Sequence, residues 1–240
     1  MSRLIATFAL GVAALLCTMP ASGADTPSQS EVVALLSARD YVELDRRFTA
    51  VQADYKLGVI DDVELREAFR SLYFTTPSLA SHFDEWVTRF PQSYVAHLAR
   101  GIYHKKIGQE SRGPQAAAYT SAQQFKAMEQ AFERASVDFE KSMTLDEKPL
   151  LSFLHQINIF KLLGEGKAAV SRELLDRSVQ LDQHNYVVRY AYMDALQSPW
   201  GGSVELMKAF FEECRQARLT ADQLDSLEEL VATDEAWTRD

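Results

Sequence analysis

Two histidines, His97 and His104, stand seven residues apart, which two helical turns would place on one side of a helix. Helical metal pairs use an i, i+4 spacing, as in H-E-x-x-H, and His82, His155 and His184 add no ligand spacing. These positions therefore read as packed histidines, and no metal ligand is assigned. Cys214 is the only cysteine after residue 24, and no neighbour in sequence would activate its thiol. His104, Glu110 and Arg112 bring acid–base and cationic groups into one stretch, without a recognisable orienting partner. Asp61-Asp62-Val63-Glu64 has the composition of a helix N-terminus, where acids favour the dipole. There is no Gly-rich phosphate loop, nucleophile elbow or calcium loop. The sequence thus assigns no catalytic residue and no cofactor, and the expectation is a protein that is not an enzyme.

The sharpest local motif is Trp200-Gly201-Gly202-Ser203. Two glycines open backbone angles closed to other residues, and Ser203 can cap the helix that follows. An anion site at that helix start is the functional alternative to a structural corner. No Lys or Arg adjoins it, and Glu205 sits in the first turn, so the corner is favoured.

Nearly everything after Ser28 is patterned for helices. Leu44, Phe48, Val51 and Tyr55 recur on one helical face, and Gly58 ends that helix. A helix from Tyr94 is expected to stop at Gly108, and a long one to cover about 123–145. Others are expected at about 150–163, 167–181, 186–197, 203–217 and 221–232, the last a polar-backed cap.

The first 24 residues read as a secretory signal: Arg3, an apolar run from Leu4 to Leu16, and a small-x-small site at Ser22-Gly23-Ala24. Cleavage after Ala24 would deliver the chain to the periplasm or outside the cell, with 25–30 as a disordered lead. Leu16 before Cys17 argues against a lipoprotein. The run is shorter than the about 20 apolar residues a bilayer needs, and no later stretch is long and apolar enough. The net charge of −9 disfavours nucleic acid and anionic membrane surfaces, and suits a basic partner.

A beat runs through the chain. Phe48, Phe83, Phe139, Leu175 and Phe211 are 35, 56, 36 and 36 residues apart, a repeat-array period. The units resemble tetratricopeptide repeats: small, large, small and terminating slots hold Ala135, Phe139, Ser142 and Glu147, then Ser171, Leu175, Ser178 and Gln183. Pro91 fills the terminating slot after Phe83, and Gly101 the close-packing slot of the next helix. His97 and His104 stand where the family has Trp and Tyr, and the period exceeds the family's, both departures from its pattern. The resemblance implies an all-α fold of antiparallel helix pairs stacked as a right-handed α-solenoid over residues 31–240. PQSYVAHLARGIYHKKIG, then SRG, M-x6-A and PWGGS, resemble the bacterial domain-of-unknown-function family 4034, which implies the same helical architecture and transfers no activity.

One step is about 20 residues too long, and the surplus lies at about 108–128. Insertions in repeat arrays emerge on one face and carry recognition; Arg112 there either contacts a partner or ties the loop down. Carrying over the groove-facing slots of the tetratricopeptide pattern gives Lys105, Asn158, Lys161, Tyr190 and Asp194. That set of cation, amide, aromatic and acid suits a protein or peptide partner on a concave face. The expected function is a periplasmic, non-enzymatic binding scaffold. The alternatives are a neutralising or regulatory partner of an exported toxin or cell-wall enzyme, and an enzyme with chemistry near the insertion.

Overall fold

The computed structural model describes residues 26–115, 117–164 and 166–239. The segment expected to be a signal, residues 1–24, lies outside them. Eleven α-helices follow one another: α1 Gln29–Ala38, α2 Tyr41–Lys56, α3 Asp62–Phe69, α4 Ala80–Arg89, α5 Tyr94–Arg112, α6 Ala122–Met143, α7 Leu150–Leu163, α8 Ala168–Leu181, α9 Val187–Ala195, α10 Val204–Gln216 and α11 Ala221–Trp237. Short 3₁₀ turns at 70–72, 77–79, 117–119 and 198–200 join some of them. Among the described residues there is no strand, so the all-α expectation holds.

The boundaries follow local chemistry. Ser28 and Glu31 form a reciprocal capping box that starts α1 at Gln29, two residues inside the stretch expected as a disordered lead. The same device starts α3 at Asp61 with Glu64, α6 at Ser121 with Gln124, and α11 at Thr220 with Gln223. The helix from Tyr94 does not stop at Gly108. A Cβ there would lie 2.5 Å from the Phe132 ring, so this glycine is kept for close packing of α5 on α6. The true stop is Gly113, at φ 74°, where glycine is favoured. The extra residues at 108–128 are therefore not a free loop. They lengthen α5 and α6 into one long hairpin, with a short link between. Likewise α11 runs to Trp237 instead of ending near 232, because Leu227 and Val231 keep its inner face buried and Asp234, also buried, bonds to the 3₁₀ turn at Ser198.

The beat residues sit in the core. Phe48, Phe83 and Phe139 are fully buried, and Leu175 nearly so, each contributing about 2–3 kcal/mol of apolar burial. At the last beat the inward position is Phe210, with Phe211 half-buried, a one-residue slip against the 36-residue count. Cys214, 36 residues after the small slot at Ser178, is fully buried. Gly101 has the same purpose as Gly108, since a Cβ would meet Phe139 Cε1 at 2.5 Å.

Helices α5 to α11 pack largely on their neighbours in sequence, and α5, α7 and α9 also touch in succession. The N-terminal block crosses these three. Helix α2 packs on α5, the 3₁₀ turn at 70–72 packs on α5, and α3 packs on α9. Polar bonds pin the crossing. Gln52 donates to the Asp146 carboxylate and to Lys148 O, and the Tyr55 hydroxyl donates to Asp182 at 2.8 Å. Helix α9 has no side-chain cap of its own; the buried Asp62 of α3 accepts from the amides of Tyr186 and Val187. One carboxylate thereby fixes how α3 sits on α9.

Candidate functional site

Where the N-terminal block crosses α5, α7 and α9 it leaves a cavity of about 350 Å³. Helix α3 and the turn after it supply Arg66, Arg70 and Tyr73. Helix α5 supplies Lys105, Lys106 and Gln109, α7 supplies Leu154 and Asn158, and α9 supplies Tyr190, Ala191 and Asp194. Four residues expected on a groove, Lys105, Asn158, Tyr190 and Asp194, thus converge from three helices on one cavity. Lys161 stands beside it, in a short ion pair with Asp194 and with its ammonium 5.0 Å from the Trp200 ring centroid. The walls from the N-terminal block were not anticipated. Arg66 is 124 residues from Tyr190 in sequence, and a pattern read within each repeat carries no signal for that contact.

Arg112 is elsewhere. Its guanidinium donates to the carbonyls of Gly113 and Gln115, and its own carbonyl accepts from Gln124 Nε2, so it ties down the link between α5 and α6. His104 packs edge-on against Tyr103, and burial lowers its pKa. No hydrogen bond or ion pair joins His104, Glu110 and Arg112 among the described residues. His97 is buried, with Nδ1 3.0 Å from Asp138 and Nε2 3.3 Å from Pro91 O. Arg100 donates twice to the same carboxylate. Burial alone would raise Asp138; the bonds from His97 and Arg100 outweigh it and hold the carboxyl below its usual range. This is a helix-pairing network between α5 and α6. No group of three or more metal-ligating side chains occurs among the described residues.

The centre of the cavity's chemistry is Lys105. Only 4% of the residue is exposed, and its Nζ lies 2.9 Å from His155 Nδ1. When Lys105 is an ammonium it can only donate, so Nδ1 then accepts and the His155 proton lies on Nε2, which faces the Tyr73 hydroxyl at 3.5 Å. Burial, then Lys106 and Lys161, lower the Lys105 pKa to about 7. Burial and Lys105 push His155 well below its ordinary value, so it stays neutral. Lys106 Nζ lies 5.5 Å from the Tyr73 ring centroid and Lys105 Nζ 6.0 Å, so the two ammoniums flank one ring.

The Trp200 corner is built as its residues suggest. Gly201 is left-handed at φ 86°, and a Cβ on Gly202 would fall 1.9 Å from Leu196 O. Ser203 Oγ accepts from Leu206 N to cap α10. Asp234 of α11 accepts from Ser198 N and Oγ, so the corner is also held from the C-terminal helix. The structural reading of this motif accounts for Gly201, Gly202 and Ser203, and the Trp200 ring packs against the Lys161 ammonium.

A family model described as Domain of unknown function (DUF4034) matches residues 29–171. The match takes in the helix carrying Gly101 and Tyr103, and three of the cavity's four walls. It ends before α9, so the PWGGS segment, one of the pieces expected to carry the resemblance, lies outside it. No curated protein and no solved structure matches the chain. No helix among the described residues is long and apolar enough to cross a membrane.

Proposed function

The chain belongs to the DUF4034 family, and we propose that it is a non-enzymatic binding module, exported to the periplasm, that takes a segment of a partner protein in the cavity between its N-terminal block and α5, α7 and α9. The observation that supports this most is the convergence of Lys105, Asn158, Tyr190 and Asp194 on one cavity. Amide, phenol, apolar and charged groups gathered on one cavity suit recognition of a partner segment. In this reading the pairs α5–α6, α7–α8 and α9–α10 are tetratricopeptide-like units of a short right-handed solenoid. The block α1–α4 covers part of its concave face and narrows a long groove to a pocket.

The test is site-specific photo-cross-linking in cells. A photoreactive residue at Asn158 or at Tyr190 should give the same discrete adduct, and one at the exposed Val137 of α6 should not. Equal adducts from all three positions would refute the assignment of this face.

A further inference from the structure

The cavity's charge says what kind of segment it fits. Arg66 and Arg70 share one carboxylate, Glu67, and Lys161 takes Asp194. Lys105 and Lys106 bond to no carboxylate among the described residues; their neighbours are a neutral imidazole and a phenol ring. The lining itself holds four cations, Arg66, Arg70, Lys105 and Lys106, and one acid, Asp194, in a chain whose net charge is −9. A buried ammonium with only a neutral partner is costly, and a bound anion would relieve it. Tyr73, Tyr190, Leu154 and Ala191 add surface for an organic body larger than a bare ion.

We infer that the segment is acidic, and that two adjacent carboxylates on it seat against Lys105 and Lys106, with Arg66 and Arg70 at the mouth. This rests on the binding-module reading. It replaces the basic partner that net charge alone suggests, because the local field at the site has the opposite sign to the whole molecule. Binding also fixes a proton. The groups facing Lys105 are Lys106 on its own helix, His155 and Lys161 from α7, Arg66, Arg70 and Tyr73 from the N-terminal block, and Tyr190 and Asp194 from α9. His155 is held neutral and burial raises the Tyr73 phenol to about 12, while the Lys105 ammonium, lowered to about 7, titrates between pH 6 and 8.5. An arriving carboxylate favours its charged form. Affinity should be full at pH 6 and fall by about 30-fold at pH 8.5, proton uptake on binding rising from almost none at pH 6 towards one per segment at pH 8.5.

The experiment is selection of end-blocked hexapeptide pools with random flanks around a fixed Glu-Glu or Gln-Gln, on the whole protein. Blocking the ends removes chain-terminal carboxylates from the comparison. The Glu-Glu pool should be enriched at least about tenfold at pH 6, as expected for a charge-assisted contact, and the enrichment should fade by pH 8.5. Lys105→Met should lose both the enrichment and its pH dependence. Lys106→Met, which leaves the buried ammonium alone, should weaken the enrichment and keep its pH dependence. Equal recovery of the two pools would overturn the acidic-segment inference and leave the groove reading standing. Binding of inorganic phosphate with the same pH dependence, but of neither pool, would overturn the segment and leave a small-anion site. A pH dependence unchanged in Lys105→Met would remove Lys105 from the account.

Discussion

Replacing Lys105 by Met should stabilise the protein at pH 6 and remove part of its pH dependence. The residue is 4% exposed, and its pKa falls from 10.5 to about 7, chiefly through burial and then through Lys106 and Lys161. The folded chain releases this proton near pH 7 and the unfolded chain near 10.5. Between those values the unfolded chain binds more protons, so stability rises with pH across the window. Below pH 7 both forms are protonated, and the buried charge costs its full amount. At about 1.4 kcal/mol per pH unit, that cost is about 5 kcal/mol at pH 6 and about 2 kcal/mol at pH 9. The wild type should therefore gain about 3 kcal/mol from this group between pH 6 and 9. Met retains the aliphatic stem and drops the charge. Losing the bond to His155 and leaving its Nδ1 unpaired, worth about 1–3 kcal/mol, is too small to reverse the sign. Urea unfolding followed by helical circular dichroism at pH 6, 7.5 and 9 gives both curves. The reasoning fails if the two stability–pH curves run parallel, or if the variant is the less stable protein at pH 6.

Three further outcomes follow from packing. Gly202→Ala should destabilise more than Gly101→Ala. Its new Cβ meets a backbone oxygen at 1.9 Å, whereas the Gly101 Cβ meets the edge of the Phe139 ring, which can move at a cost of about 1–3 kcal/mol; thermal melts of the two variants would rank them. Asp62→Ala should cost about 1–3 kcal/mol by leaving the amides of Tyr186 and Val187 unpaired, and hydrogen exchange should rise first at the start of α9. Cys214 should resist iodoacetamide at pH 8 until urea unfolds the chain, because burial raises its thiol to about 11; rapid labelling of the folded protein would contradict this.

Most of the secondary structure is legible in the sequence, because capping residues and helical periodicity act over a few residues. Ser203 and Gly58 have the local tasks their types suggest, and Gly101 has the packing role that the repeat pattern implies. Gly108 shows where such reading stops: as a helix terminator and as a packing glycine it looks the same in one dimension, and only the Phe132 ring against it decides. Misreading it turns two long helices into an apparent insertion, and makes Arg112 a recognition residue instead of a clasp. The slip from Phe211 to Phe210 has the same origin, since a count fixes a face only if every turn before it is regular.

The site was half legible, and the missing half changes its meaning. Lys105, Asn158, Tyr190 and Asp194 could be placed together because repeat geometry brings α5, α7 and α9 side by side. Nothing in that geometry places Arg66, Arg70 and Tyr73 opposite them, because that contact depends on how α2 and α3 cross the repeats. Asp62, the residue that fixes the crossing on α9, looks in sequence like an ordinary acid in a first turn. Once the crossing is formed, Lys105 is no longer a solvated helix position but a buried ammonium beside a neutral histidine. Its helix neighbours, Lys106 among them, do not announce this, because burial is a property of what covers a residue. The same fact reverses the partner's expected charge. Net charge sums the whole surface, whereas a ligand in this cavity meets four cations and one carboxylate, Asp194, which Lys161 already engages.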